Sequence, residues 1–208
     1  MSNSKKTLLM LACAVMLVLV SVMGTMAYLT SADEVKNTFT VGNVKITLDE
    51  AKVDAYGDAV TPAERVKANG YKLLPGHNYK KDPTVTVKSG SEASYVRMLV
   101  TINKKTELDA IGFDMRNVFT GYSTDWVFQG QEAENDTMTY EFRYKAVVPA
   151  TTSDLELPAL FTGIAVPGEL TGTQLKTLDG LNIDVVAQAI QADGFGTADK
   201  AWTAFAAQ

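Results

Sequence analysis

Cysteine and histidine are almost missing from this chain of 208 residues, which holds one of each, Cys13 and His77. A zinc site built on imidazole and thiolate needs several such ligands, so that chemistry is excluded by count, and an HExxH protease with it. A Ser-His-Asp triad would have to use His77, which lies in the turn LLPGHNY, and no serine stands in a GxSxG setting. His77 is therefore expected to be an exposed turn residue. Basic side chains are also in the minority, 19 against 24 acids. That balance argues against nucleic acid, which calls for basic patches, and against electrostatic docking on anionic lipid.

The acids that are present cluster twice, as Glu132, Glu134 and Asp136 in GQEAENDT and as Asp49, Glu50 and Asp54 in LDEAKVD. Paired carboxylates serve glycosidases, and oxygen ligands serve calcium, but neither cluster has the DxDxDG spacing. Both read first as solvated charge at loops and strand ends. The aromatic set Tyr122, Trp126, Phe128, Tyr140, Phe142 and Tyr144 reads as core and cross-strand packing, with a carbohydrate platform as the alternative. No cofactor, metal or catalytic set is expected.

What is abundant comes at the start. Residues 1–7 are polar and carry Lys5 and Lys6, and Leu8 to Val20 then runs without a polar side chain apart from Cys13. A charged lead, an apolar stretch and a small-residue exit describe a secretory signal helix. Thr25 and Ala27 occupy the two positions a signal peptidase reads, which places cleavage before Tyr28. A spanning anchor needs about 20 apolar residues, and the nineteen from Leu8 to Met26 include two hydroxyls and a glycine. The uncleaved anchor is the alternative, and acylation on Cys13 a weaker one. Removing residues 1–27 takes away two lysines and no acid, leaving 17 basic and 24 acidic side chains and a formal charge of −7.

Residues 28–208 are expected to form one domain, long enough to bury a core without disulfides. Hydrophobic side chains alternate far more often than they recur at helical spacing. The clearest runs are Val44-Ile46-Leu48, Val85-Val87, Val96-Met98-Val100-Ile102, Met138-Tyr140-Phe142-Tyr144 and Leu181-Ile183-Val185-Ala187-Ala189. Each predicts a strand with one face on a core. Trp126 to Phe128 and Ala159 to Val166 read as further strands. Turn signals fall between them at Asn69-Gly70, Pro75-Gly76, Ser89-Gly90, Gly130, Pro167-Gly168 and Asp179-Gly180. The expected fold is mainly β, an antiparallel jelly-roll-like sandwich with a few short helices. Thr61 to Asn69 predicts one helix, capped by Thr61 with Pro62 following, and Thr197 to Ala207 another, with Trp202 and Phe205 on one face.

Three stretches carry a family resemblance. The exit Gly24-Thr25-Met26-Ala27 runs straight into Tyr28-Leu29-Thr30-Ser31-Ala32-Asp33, and then into Asn37-Thr38-Phe39-Thr40-Val41-Gly42-Asn43-Val44. This resembles the specialised signal peptides of TasA- and camelysin-type proteins of Gram-positive bacteria, with Leu29 where relatives commonly have Phe. The stretch LLPGHNYKKDPTVTVKSGSEASYVRMLV is similar to that family's proline-glycine strand followed by its Tyr-Val-Arg strand, and AIQADGF with AWTAF is similar to clostridial members. The segment 104–158 carries no such likeness.

The resemblance implies a jelly-roll sandwich, cleavage by the dedicated SipW-type signal peptidase, and a secreted protein of the cell surface or biofilm matrix. It implies self-assembly into fibres, alone or with sister matrix proteins, and membrane contact only through the uncleaved signal peptide. The metallopeptidase activity ascribed to camelysin-type relatives does not transfer to a chain with a single histidine.

Two functions from different classes are therefore expected to compete. One is a structural subunit that polymerises by strand addition, using the segment 28–41 with Asn37, Phe39 and Val41 as its pairing strand. In that segment Asn37 to Val41 could equally be the first strand of its own sheet. The other is a monomeric module that binds sugar or a surface polymer through the aromatics between 122 and 144.

Overall fold

A computed structural model describes residues 43–207 of the chain. The strands are β1 (Ile46–Ala51), β2 (Arg65–Val66), β3 (Asn78–Lys80), β4 (Thr84–Val87), β5 (Ser94–Asn103), β6 (Phe119–Thr120), β7 (Trp126–Glu134), β8 (Thr137–Tyr144), β9 (Leu155–Glu156), β10 (Gly163–Ala165) and β11 (Ile183–Gln191). Four short helices accompany them, α1 (Lys105–Ala110), α2 (Met115–Val118), α3 (Gly172–Thr177) and α4 (Ala198–Ala206). The protein is mainly β, its sheets are antiparallel and its helices are few and short, as the alternating sequence predicts.

Among the described residues the strands form three sheets, ordered β2-β1-β4-β9, β3-β10-β6 and β11-β5-β8-β7. β5 is the spine of the last. Its even positions Val96, Met98, Val100 and Ile102 are fully buried, while Tyr95, Arg97, Leu99 and Thr101 alternate on the other face and are half-buried. Tyr140 and Phe142 of β8 lie across from Val100 and Met98 and complete that buried face. Val85 and Val87 of β4 contribute from the second sheet, and Leu160 and Phe161 fill the space between elements. Phe119 stacks on Phe161 with ring centroids 4.3 Å apart.

The C-terminal helix forms where the sequence predicts it. The Thr197 side chain accepts from the Lys200 N–H and caps α4, and Trp202 and Phe205 meet edge to face at 5.6 Å. That pair covers the outer face of β5: the Arg97 guanidinium lies 4.3 Å from the Trp202 ring.

Two expectations need correction. Thr61 to Asn69 is not a helix, because Arg65 and Val66 pair with Ala51 and Glu50 as strand β2. Arg65 is tied to Asp49 at 2.7 Å and to Asp82 at 3.4 Å, and the Asn69 amide accepts from the Val53 N–H and donates to Glu50 and to the Ala51 carbonyl. Tertiary partners outweigh a weak local propensity there.

Ala159 to Val166 is a strand only over Gly163–Ala165. Before it the backbone bonds fan out to different partners, Leu160 N–H to the Pro83 carbonyl and Thr162 N–H to the Thr120 carbonyl. Its apolar run is a buried core segment rather than one ladder.

Candidate functional site

The sequence-predicted peptidase and assembly residues Thr25, Ala27, Tyr28, Asn37, Phe39 and Val41 lie outside the described residues. What the described body offers such a segment is a sheet margin. β11 pairs with β5 over its full length, from Ile183 opposite Ile102 to Gln191 opposite Ser94. Backbone bonds just beyond its two ends, Asn103 N–H to the Asn182 carbonyl and Ala192 N–H to the Ala93 carbonyl, fix the phase of this ladder. Even-numbered residues of β11 exchange bonds with β5, so Ile183, Val185, Ala187, Ala189 and Gln191 direct their N–H and C=O groups to the opposite side. No other described strand pairs with that side.

β1 repeats the pattern. Lys88 N–H donates to the Lys45 carbonyl, so the odd residues of β1 bond to β4 and the even ones face β2. β2 covers only Glu50 and Ala51. The outward backbone groups of Ile46 and Leu48 therefore lie beyond it, apart from the Leu48 carbonyl, which accepts from Lys67 Nζ at 2.6 Å. Cα atoms of β1 and β11 come within 8 Å of one another, and the two strands are not paired in a sheet. Two strand margins whose outward backbone groups have no described strand partner thus come together beside a shared apolar core.

Natural edge strands are usually short, charged or interrupted by proline. β11 is nine residues long, contains one charged residue, Asp184, and exposes Val186 by half. Among the described residues neither proline nor a bulge interrupts it.

Four of the six clustered acids make bonds within the fold. Glu132 and Glu134 are exposed on β7, and Asp136 sits in the two-residue turn that leads into β8. The Asp136 carboxylate accepts from the Thr106 N–H at 2.8 Å, and its carbonyl from the Lys105 N–H at 3.1 Å. It thereby caps α1 from a neighbouring hairpin, and those bonds hold its carboxyl below the usual range. Of the second cluster, Asp49 holds Arg65, and Asp54 folds its own turn by accepting from the Tyr56 and Asp58 N–H groups. Glu50 is buried against Lys81. Among the described residues, no group of three His, Cys, Asp or Glu side chains is placed to hold a metal ion.

His77 is half-buried rather than fully exposed. Its Nε2 lies 2.6 Å from the Tyr56 carbonyl, and its ring meets Tyr79 edge-on at 4.6 Å. Among the described residues its ring neighbours are the Tyr56 carbonyl and the rings of Tyr56 and Tyr79, with no serine or carboxylate bonded to it.

The aromatic set divides. Trp126, Tyr140 and Phe142 are buried core residues, and Trp126 Nε1 donates to the Pro158 carbonyl at 2.8 Å. Tyr122 and Phe128 are more than one-third exposed and flank Phe142, with centroid distances of 5.7 and 5.5 Å. Arg116 lies 5.0 Å from the Phe128 ring. Partial burial is the main cause that pushes the Tyr122 hydroxyl up to about 12.

A cavity of about 850 Å³ opens between the segment 69–73, β10, α3 and the start of β11. Leu73, Ile164, Val166, Leu170, Leu175 and Leu178 line it, together with Lys72, Lys81 and Lys176. The phenol of Tyr71, also in its wall, is raised above its ordinary value by burial and then by the Glu50 charge. Sequence reasoning missed this cavity because α3 was not foreseen. The signal for α3 was present in Thr171-Gly172-Thr173-Gln174, where the Thr171 and Gln174 side chains form a capping box.

Comparison with protein-family models, with curated proteins and with solved structures finds no match to the chain. Among the described residues no helix is long and apolar enough to cross a membrane.

Proposed function

We propose that the chain is an exported structural subunit of a Gram-positive cell surface or biofilm matrix, which assembles by strand addition at the margin shared by β11 and β1. One observation carries the reading: the long, nearly uncharged β11, whose odd residues aim their backbone groups away from β5. Such an edge is a template for a further strand. In this proposal the strand is Asn37 to Val41 of a neighbouring subunit, and Phe39 and Val41 add their side chains to the apolar face that Ile183, Val185 and Ala187 already present. The sheets close as a jelly-roll-type sandwich over the residues 28–208. Signal-peptidase cleavage of SipW type between Ala27 and Tyr28 frees the segment that pairs. The TasA/camelysin resemblance of the N-terminal motif supports the same reading.

The test compares the exported protein with a variant lacking residues 28–41, following oligomer size on dilution and fibres by electron microscopy. Wild-type oligomers that the deletion abolishes support strand addition, and identical monomers in both samples contradict it. Mass spectrometry of exported material should begin at Tyr28, and material that retains 8–27 would return the anchored alternative.

A second reading, a monomeric glycan-binding module, is favoured by the exposed rings of Tyr122 and Phe128. Stacking on sugar would use those two rings and not the buried Trp126. Glycan-array binding lost in Tyr122→Ala or Phe128→Ala, by a protein that stays monomeric, would favour this reading over assembly.

A further inference from the structure

Of the β11 residues only Ile183 lines the 850 Å³ cavity, and the charge of that lining is the reverse of the chain's. Three lysines, Lys72, Lys81 and Lys176, line it against one acid, Asp179, in a protein with 19 basic and 24 acidic side chains. Lys72 and Lys176 are exposed lining residues, with the Lys72 ammonium 5.8 Å from the neighbouring Tyr56 ring, whereas Lys81 is buried in the wall. Glu50 accepts one Lys81 N–H at 2.6 Å and is its only hydrogen-bond acceptor among the described residues. Two N–H groups of a cavity-lining ammonium therefore have no described acceptor. Half of the remaining lining residues are leucine, isoleucine or valine, and Tyr71, Tyr79 and Phe113 add aromatic surface. The volume lies within the roughly 300–1,000 Å³ of small-molecule sites.

We propose that this cavity binds a single-chain anionic amphiphile, of which a free fatty carboxylate is the simplest. The alkyl chain would lie against Leu73, Ile164, Leu170, Leu175 and Leu178, with the carboxylate held by Lys72 and Lys176. The Lys81 charge is offset by its ion pair with Glu50, so the selection falls to Lys72 and Lys176. A cationic amphiphile is disfavoured by those two charges, and a neutral alcohol forgoes them. A bilayer is a poorer source than a free molecule, because the acidic chain as a whole is repelled by an anionic membrane.

Isothermal titration of the exported protein with octanoate and decanoate, below their micelle concentrations, tests this directly. Each buried CH₂ adds about 0.8 kcal/mol, or about fourfold, so decanoate should bind on the order of tenfold tighter than octanoate. Decanol and decyltrimethylammonium should bind at least about tenfold more weakly than decanoate, since both lack the charge pairing. Lys72→Gln with Lys176→Gln should lower decanoate affinity by about tenfold and leave decanol unchanged, whereas Lys72→Arg with Lys176→Arg should retain binding. Both lysines are exposed, so circular dichroism of these variants should match wild type. Absence of saturable decanoate binding, equal binding of the cationic amphiphile, an unaffected glutamine variant, or association only with anionic vesicles would each overturn the proposal.

Discussion

The Lys81 ammonium donates to the Glu50 carboxylate across 2.6 Å, with both side chains more than nine-tenths buried. Asn69 Nδ2 donates to the other carboxylate oxygen at 3.0 Å. This pair ties β1 to the residue that follows β3, and neither partner can be removed alone without stranding a buried charge. Glu50→Gln should therefore lower unfolding free energy by about 3–5 kcal/mol. Glu50→Leu combined with Lys81→Met should recover most of that loss. Urea denaturation checks both, and a single variant as stable as wild type would contradict the assignment.

Gly57 is required by a close approach. Its φ is +81°, and a Cβ built there would stand 2.7 Å from the Tyr79 Cα. Tyr79 is itself fixed, accepting from the Leu74 N–H at 2.8 Å and donating to the Lys72 carbonyl at 2.5 Å. Gly57→Ala should cost about 1–3 kcal/mol from the backbone conformation alone. Gly90→Ala, which shares a positive φ but meets nothing within 4 Å, should cost less. Thermal melts of the two variants make the comparison.

The exposed and buried aromatics should separate cleanly. Trp126→Ala removes a buried ring and its bond to Pro158, and should destabilise by about 3–5 kcal/mol. Tyr122→Ala and Phe128→Ala, partly exposed, should cost less than half of that. Equal losses at all three positions, read by chemical denaturation, would contradict the division.

Acid should weaken the capped helix α1. The bonds from Thr106 hold the folded midpoint of Asp136 below its ordinary 3.8. A depressed folded midpoint contributes stability that is present above the unfolded value and is lost as pH falls through the folded one. The exposed Asp136 should thus titrate below 3.8 by carbon-detected nuclear magnetic resonance, and Asp136→Asn should flatten the decline in stability below that pH. A midpoint above 3.8 would contradict the capping role.

Strand content was legible because β5, β8 and β11 have one buried face, and alternation shows directly which residues lie on it. Val96 to Ile102 and Tyr140 to Phe142 occupy the predicted side. Local capping chemistry also made α4 legible through Thr197. The failures have different physical origins. Arg65 leaves its predicted helix for partners at Ala51, Asp49 and Asp82, which are distant in sequence. α1 takes its cap from Asp136 in another hairpin, so no local pattern marks its start. The buried Glu50–Lys81 pair joins two residues that read as ordinary surface charge in sequence. The β11 margin could be foreseen as a strand, but its position at the edge of its sheet depends on topology. The cavity combines five segments and could not be read from any one of them.

The central claim is that β11 pairs through its odd-numbered side, and Ala187→Pro tests it most directly. The Ala187 N–H points away from β5, so proline there removes no described ladder bond, and such edge positions tolerate proline. The −7 charge of residues 28–208 repels subunits at neutral pH and low salt, and salt screens it. Wild-type exported protein should therefore assemble as ionic strength rises, or as pH falls towards the sequence pI near 4.9. Electron microscopy with sedimentation and circular dichroism should show fibres or ordered oligomers for wild type, and folded monomers for Ala187→Pro under the same conditions. A folded Ala187→Pro protein that assembles as wild type does, or a wild-type protein that stays monomeric throughout, would contradict it.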